Sequence, residues 1–509
     1  MASIQPIPLS EFAAALKPLL DGPIDSAANP LVVAVANNSA RVAPGTLFAA
    51  IRGAKADGHK FIPDAVRKGA SALVVAADYD GPVPPDLPVL RVTDPYFAWA
   101  VVCETFFRRP ADAFRVHTVT GTNGKTSTAY FLRHFLDTAK PGAKTALVST
   151  VCCDLGAGPE PSEHTTPDAF TLQEMFTDMK ANGITDAIME SSSHGLHQRR
   201  SGSLKFASAA FTNLTGDHLD YHGTMENYYL AKKILFRELL ADGAPAVINT
   251  DDPAGTRLVS ELGNERPGLR ILPVSFTGRA NAFCSLRSLR LSPAFSDLEF
   301  TLEGHSVSLR LPLPGAFNAA NYLTALTTAY GLGFPLDGLL EASARMPHVP
   351  GRLQAVPLAN GATGFVDFAH TDDALERVLS SLRDVLTPGG RLIAVFGCGG
   401  DRDRTKRPRM GAAVARLADL PILTSDNPRS EDPSAIIREI ETGIPAGVRY
   451  LAEPDRAKAI ELAVREARAG DILLVAGKGH ETTQEIGGVK HPFSDLEILN
   501  RFRLNPDNT

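Results

Sequence analysis

Short apolar runs recur along this chain, and most end in a cluster of glycine and polar residues that leads into helical spacing. Leu31-Val-Val-Ala-Val-Ala36 and Ala72-Leu-Val-Val-Ala76 read as strands, with Phe61 to Gly69 as an amphipathic helix between them. Phe114 to Val119 reads as a buried strand, and Ala129 to Leu136 has helical periodicity. Ala143 to Thr150, Ala187 to Glu190, the run entering Phe211, and Val247-Ile-Asn249 continue the alternation, and a more β-like stretch follows. Gly364-Phe-Val-Asp367, Val395-Phe396, the run entering Leu423, and Ile472-Leu-Leu-Val-Ala476 repeat it near the end. Strand, loop, helix, strand is the grammar of α/β folds with mostly parallel sheets covered on both faces.

The expected division is a small α/β domain over 1–112, a central domain over 113–346, and a third α/β domain, Rossmann-like, over 347–509. The length of 509 residues suits two to four domains. Thr93-Asp-Pro95 with Arg108-Arg-Pro110, and the Pro-Gly segment entering Arg352, punctuate the joins.

The chain centres on Thr118-Val-Thr-Gly-Thr-Asn-Gly-Lys-Thr-Ser-Thr128. A strand, a glycine loop, Gly-Lys-Thr and a helix in that order make a nucleoside triphosphate site. Loop amides (Gly121, Thr122, Asn123, Gly124, Ser127) and the helix N-terminus face the phosphates, Lys125 reaches their outer oxygens, and Thr126 offers a hydroxyl to Mg2+. Val119 stands where the full Walker pattern has its first glycine.

Composition changes this picture little. Hydrophobic content of 44% and charged content of 21% suit globular domains with real cores, and a net charge of −6 gives no reason to expect nucleic acid. The five cysteines (Cys103, Cys152, Cys153, Cys284, Cys398) lack metal-ligand spacing and read as buried or free thiols in a reducing compartment. No signal peptide or membrane span is expected, so a cytoplasmic location is, and a monomer is the default.

Several strand ends carry chemistry. Ligands in open α/β sheets sit at the carboxyl ends of strands. Glu190 there suits the Mg2+ of a bound triphosphate. His164-Thr165-Thr166-Pro-Asp168 fits a helix cap, which explains one hydroxyl but not both. Asp217-His218-Leu-Asp-Tyr-His222 is unusually rich in imidazole and carboxylate, and Lys232 follows on a helix, where a solvated lysine is the plain alternative. Asn318 and Asn321 share a helix face, with capping the plain role for Asn318. Arg352 is placed to neutralise a transferring phosphate and Asp367 to hold a ribose or base.

Gly-Thr-Asn-Gly-Lys-Thr, Glu190-Ser-Ser-Ser-His-Gly, Asp217-His-Leu-Asp-Tyr-His-Gly and Ala231-Lys232 together resemble the Mur ligases, the ATP-dependent amino-acid-adding enzymes of peptidoglycan synthesis. The resemblance implies three domains and a cytoplasmic amide-forming ligase that makes an acyl phosphate and releases ADP. It implies a first Mg2+ on Thr126 and Glu190 and a second on His218 and Lys232, the lysine carrying a CO2-derived carbamate. By the same match, Asn318, Asn321, Arg352 and Asp367 join the ATP site. Ser39, Thr165, Thr166, Ser192, Gln198, Arg200 and His370 hold a UDP-N-acetylmuramoyl peptide. The first domain departs from the family wording Asp-Ser-Arg, reading Asn38-Ser39-Ala40-Arg41. Phe368 and Asp372 replace a usual Tyr and Pro.

Asp426-Asn427-Pro428-Arg429 resembles the branch that adds meso-diaminopimelate to UDP-N-acetylmuramoyl-L-Ala-D-Glu. An amino acid with two carboxylates and two amines needs guanidinium donors and a carboxylate acceptor. Arg402 and Arg429 with Glu481 supply these, and Asp426, Asn427 and Gly477 complete the set. Lysine-adding sisters and folate-extending ligases use the same ATP chemistry, and panels of amino acids and acceptors separate them. A nucleotide-binding regulator without turnover is opposed by the presence of Lys125, Glu190 and Lys232 together.

Overall fold

The computed structural model describes residues 5–23, 28–53, 56–139, 142–162 and 164–504. The chain divides into two compact units. One comprises Met1–Pro273 with Thr328–Gly333, the other Val274–Thr327 with Phe334–Thr509.

The first unit opens with a four-stranded parallel sheet in the order Ala34–Ala36, Thr46–Ala49, Ala70–Ala76, Val89–Val92. The run read from the sequence as one strand, 31 to 36, is broken. Leu31–Val32 pairs antiparallel with Ile7–Pro8, and only Ala34–Ala36 joins the parallel sheet. The break falls at exposed Val33, whose amide donates to the Gly45 carbonyl. The helix read over 61 to 69 is shorter, Ile62–Arg67, and is preceded by a 3-10 turn, Gly58–Phe61. Asp57 starts that turn by accepting from the His59 amide.

The larger sheet of this unit runs Pro159–Pro161, Cys152–Asp154, Thr145–Val148, Asp186–Glu190, Arg115–Thr120, Ser208–Phe211, Pro245–Asn249. Thr145–Val148 through Pro245–Asn249 are parallel, and the two strands before them pair antiparallel. Val116, Ala187, Met189, Ala209 and Phe211 bury their side chains in one core cluster with the helix residues Leu172 and Phe176. Buried polar groups in the sheet are paired: His117 bonds Ser208 Oγ at 2.9 Å and Asp186 Oδ1 at 3.1 Å.

Connectivity places the chemistry. The chain leaves Arg115–Thr120 for strands on one side, returns to Asp186–Glu190 beside it, then emerges at Ser208–Phe211 on its other side. Arg115–Thr120 therefore lies at a topological switch point, where loops diverge and leave a crevice. Glu190 pairs with Val119 and Phe211 with Thr120, so the glycine loop, the Glu190 strand end and the segment after Phe211 emerge together.

The second unit holds an antiparallel meander, Cys284–Leu291, Ser296–Leu302, His305–Leu311, and a six-stranded sheet. The latter runs Gln354–Pro357, Thr363–Asp367, Ile472–Ala476, Leu392–Phe396, Leu420–Leu423, Leu451–Ala452, parallel except for its first strand. Its fully apolar central strands are buried on both faces. The ends of Thr363–Asp367, Ile472–Ala476, Leu392–Phe396 and Leu420–Leu423 carry the polar loops singled out from the sequence. Among the described residues, no helix is long and apolar enough to cross a membrane.

Candidate active site

The glycine loop is stitched to the segment after Ser208–Phe211. The Thr122 amide donates to the Asn213 carbonyl at 2.9 Å, the Asn123 amide to Asn213 Oδ1 at 2.9 Å, and Thr212 Oγ1 to the Asn123 carbonyl at 2.6 Å. Gly121 takes φ +150°, and a Cβ there would fall 1.9 Å from Thr212 Oγ1. Only glycine lets the two segments approach so closely. The helix Lys125–Ala139 starts directly from the loop, with Thr126 and Ser127 buried in its first turn. Lys125 arches back over the loop, its Nζ donating to the carbonyls of Gly121 at 3.0 Å and Thr122 at 2.9 Å.

Lys232 is brought to the same place. It lies on the helix Met225–Ile234, is fully buried, donates to the Gly121 carbonyl at 2.8 Å, and sits 4.7 Å over the Tyr228 ring. The solvated-lysine alternative is thereby excluded. Burial, then the Lys125 charge, hold its pKa well below the ordinary lysine value. A buried lysine in such surroundings is readily a neutral, nucleophilic amine.

Glu190 is also fully buried. The Thr150 amide donates to its Oε1 at 2.8 Å and the Thr150 hydroxyl to its Oε2 at 3.1 Å. Thr150, unmarked in the sequence reading, is what aims this carboxylate. Thr165 bonds Thr150 Oγ1 at 3.0 Å, and Thr166 donates to the Glu190 carbonyl at 2.8 Å while accepting from the Ser192 amide at 2.9 Å. Neither threonine caps the following helix. Asp168 does, accepting from the Phe170 and Thr171 amides, and so both hydroxyls are released for the site.

Arg200 donates to the Thr166 carbonyl and, at 2.8 Å and 3.1 Å, to Gln198 Oε1, and Gln198 donates to the Tyr221 hydroxyl at 3.0 Å. Thr165, Thr166, Ser192, Gln198 and Arg200 are thus one hydrogen-bonded group running from Glu190 to the histidine loop. Tyr221 also bonds His197 Nδ1 at 2.9 Å, and its ring centroid lies 4.1 Å from that of His194. His218 is exposed over 45% of its side chain, left-handed at φ +54°, and 3.5 Å from Asp217. Burial, with Lys125 and Lys232, outweighs the aspartates and lowers its pKa, leaving a neutral ring suited to a metal. Among the described residues no three His, Cys, Asp or Glu side chains form a cation site. The set Thr126, Glu190, His218, Lys232 is mixed, and it fits a hard cation only if the lysine presents oxygen rather than a positive charge.

His222, by contrast, is structural. It is buried, and its Nε2 bonds Ser193 Oγ at 2.9 Å. Burial, then the charges of His194, His197, His218 and Lys232, push its pKa down to about 4. An unfolded histidine titrates near 6.5. Below that pH the unfolded chain takes up a proton that the folded chain refuses, so stability is full above about 6.5 and is lost as pH falls toward 4. His222 is expected to cost ~2 kcal/mol between pH 7 and 4.5. Urea midpoints at both pH values should show a smaller difference for His222→Gln, and an equal difference would refute the assignment.

Ser39 lies in the turn Ser39–Arg41, which Asn38 caps, and its carbonyl accepts from Lys68 Nζ at 2.9 Å. In the second unit, Asn318 and Asn321 are both buried near the start of the helix Ala316–Gly331, and Asn318 Nδ2 donates to the Pro314 carbonyl at 2.8 Å. Asp367 accepts from the Leu353 amide at 2.7 Å and the Ala369 amide at 2.9 Å. Burial outweighs those bonds and nearby Arg352, so its pKa is raised. Arg352 lies 4.9 Å over the Phe368 ring, and exposed His370 bonds the Phe368 carbonyl through Nδ1 at 2.7 Å. Phe368, a departure from the family wording, thus packs against both Arg352 and the His370 ring.

The remaining residues converge on three strand ends of this unit. A Cβ on Gly399 would lie 3.0 Å from Arg429 Nη1 and 3.6 Å from Arg402 Cγ, so both arginines flank that glycine. Arg429 is left-handed at φ +51°, bonds the Gly400 carbonyl at 2.8 Å, and lies 3.4 Å from Glu485. Asp426 is buried, and a Cβ on Gly477 would lie 2.6 Å from its Oδ2. Asn427 Nδ2 donates to Glu481 Oε2 at 3.0 Å. The sequence reading missed Lys478, which is fully buried and bonds the same Oε2 at 2.7 Å.

Three family models match the chain: Mur ligase family, catalytic domain (residues 32–91), Mur ligase middle domain (119–329) and Mur ligase, glutamate ligase domain (351–479). A UDP-N-acetylmuramoyl-L-alanyl-D-glutamate–2,6-diaminopimelate ligase of Chlorobaculum tepidum is 41% identical, covering 96% of each chain. The ligase of that name from Chromobacterium violaceum is 42% identical over 91% of this chain and 92% of its own. A solved structure with the same name has 34% identity and a TM-score of 0.67, covering 92% of this chain and 94% of the other.

Proposed function

The chain belongs to the Mur ligase family, and on that premise we propose how its residues divide the work of the reaction. The reaction is the ATP-dependent joining of meso-2,6-diaminopimelate to the D-glutamate γ-carboxylate of UDP-N-acetylmuramoyl-L-Ala-D-Glu, through an acyl phosphate, in peptidoglycan precursor synthesis. The carboxylate attacks the γ-phosphorus and ADP leaves. An amine of diaminopimelate then attacks the acyl carbon, the nitrogen gives up a proton, and phosphate leaves with the C–O bond electrons.

In this reading the amides of Gly124 to Ser127 cradle the phosphates, those of Thr122 and Asn123 being taken by Asn213 instead of facing the ligand as expected, and Lys125 and Arg352 offset the charge that spreads over the transferring group. Asn318, Asn321 and Asp367 hold the nucleoside. Thr126 and Glu190 hold one Mg2+, and His218 with the Lys232 carbamate holds another. The ions supply Lewis-acid neutralisation of phosphate charge when bound. Ser39, Thr165, Thr166, Ser192, Gln198, Arg200 and His370 bind the muramoyl peptide. Arg402, Asp426, Asn427, Arg429, Gly477 and Glu481 bind diaminopimelate. Domain boundaries at 112/113 and 346/347, a monomer and a cytoplasmic location belong to the same proposal.

The observation that carries the residue roles is the buried, pKa-lowered Lys232 bonded to the phosphate loop's own Gly121 carbonyl. As an ammonium it would repel Mg2+; as a neutral amine its nitrogen would bond the CO2 carbon, release one proton to solvent and present an anionic carbamate oxygen as a ligand. After equilibration with 13C-bicarbonate, one carbamate resonance is expected in the carbon NMR spectrum, absent in Lys232→Arg. Identical spectra would remove the carbamate from the account. The acyl phosphate is tested with substrate labelled by 18O in the glutamate γ-carboxylate: one label must appear in the released phosphate, and unlabelled phosphate would contradict the route.

A further inference from the structure

Lys478 lies between two residues of the proposed amino-acid site yet belongs to none of the roles above. It is fully buried at the end of the strand Ile472–Ala476. Its ammonium donates to Glu481 Oε2 at 2.7 Å and to Asn427 Oδ1 at 3.1 Å. Asn427 in turn donates through Nδ2 to that same Oε2. Among the described residues, the two bonds to Glu481 both fall on Oε2, and its side chain is about one-third exposed. Burial pushes the Glu481 carboxyl up, but Lys478 and Asn427 outweigh it and hold its pKa below the usual glutamate range. The bonds also fix the side-chain amide of Asn427, whose Oδ1 accepts from the Glu485 amide at 3.0 Å.

Charge counting gives this arrangement a consequence. Arg402, Arg429, Lys478 and Arg456 are four cations around the strand ends; Asp426, Glu481, Glu485 and Asp495, the last paired with Arg456 at 2.7 Å, are four anions. The set is neutral. The end of diaminopimelate that does not react carries one carboxylate and one ammonium, and is neutral as well. The matching end of L-lysine is a bare ammonium. Without Lys478 the set carries one net negative charge, and Glu481 loses its direct cationic partner, keeping the Asn427 bond and the more distant charge of Arg456. A negative pocket gains more from a monocation than from a zwitterion.

We propose that Lys478 is a specificity-determining residue, whose charge on Glu481 tunes the pocket to a zwitterionic amino-acid terminus and against a cationic one. The inference rests on the assignment of Asn427, Arg429 and Glu481 to diaminopimelate.

The test is phosphate release from ATP with the muramoyl dipeptide nucleotide, comparing meso-diaminopimelate and L-lysine in wild type, Lys478→Met, Lys478→Gln and Lys478→Arg. Loss of one charge-assisted contact predicts that the ratio of kcat/KM for diaminopimelate over lysine falls about tenfold in Lys478→Met. Lys478→Gln keeps a donor toward Glu481 without the charge, so it must lower the ratio too, and it carries the test if the methionine variant does not fold. Lys478→Arg keeps the charge and must retain most of the ratio. Equal losses on both amino acids in the neutral variants would make Lys478 a structural lysine and overturn the proposal. If the wild type itself gives no release with diaminopimelate, the assignment of the site fails rather than the role of Lys478 within it.

Discussion

Lys125→Ala is expected to lower kcat about 10^3-fold while the protein stays folded. The ammonium is held over the glycine loop by the carbonyls of Gly121 and Thr122, so its position is set before nucleotide arrives. A preplaced cation stabilises charge that spreads over the γ-phosphoryl oxygens at no cost of reorganisation during the reaction. Its loss therefore falls on the chemical step more than on nucleotide binding, to which loop amides and the helix N-terminus also contribute. The helix Lys125–Ala139 is anchored by the buried side chains of Phe131, Leu132, Phe135 and Leu136, which the substitution leaves untouched. Single-turnover phosphate release measures the effect directly, and a loss below tenfold would mean that Lys125 does not serve the transferring group.

The second large effect is expected at Arg429. Arg429→Ala should lower kcat/KM for diaminopimelate about 10^2-fold with little change in the KM for ATP. The residue is held in the left-handed region by its amide donating to the Glu485 carbonyl at 3.0 Å and its carbonyl accepting from the Gly487 amide at 2.7 Å. Its guanidinium is oriented by the Gly400 carbonyl and Glu485. A fork fixed in this way pairs with a planar carboxylate, which a lysine cannot imitate, so Arg429→Lys should recover little. Steady-state kinetics with diaminopimelate varied at saturating ATP measures this. Unchanged kcat/KM in Arg429→Ala would remove the arginine from amino-acid recognition.

Much of this was legible in the sequence because the signals were local. A strand, Gly-Thr-Asn-Gly-Lys-Thr and a helix are contiguous, and the loop needs glycine where Gly121 approaches Thr212. Glu190, Asp367, Asp426 and Gly477 stand at or just beyond strand ends, where apolar runs stop. Other roles are set by pairings that sequence does not display. Thr165 and Thr166 read as cap candidates because the competing cap, Asp168, is three and two residues further on and equally suitable. Thr150 looked like the tail of a strand, yet it aims Glu190 from forty positions away. Lys478 sits in Gly-Lys-Gly-His, a composition that reads as a solvated turn, and only the approach of Asn427 and Glu481 shows its ammonium buried. Leu31 to Ala36 is uniformly apolar, so nothing in it marks the exposed Val33 at which its two halves part to different sheets.

The central claim is the joining of diaminopimelate to the muramoyl dipeptide nucleotide at the expense of ATP. The most direct measurement is mass spectrometry of the nucleotide product, with ADP counted, after incubation of the wild-type protein with ATP, Mg2+, UDP-N-acetylmuramoyl-L-Ala-D-Glu and either meso-diaminopimelate or L-lysine. The account predicts a diaminopimelate adduct linked through an amide, one ADP per adduct, and little adduct with lysine. A lysine adduct in preference, or ADP without any adduct, would contradict it.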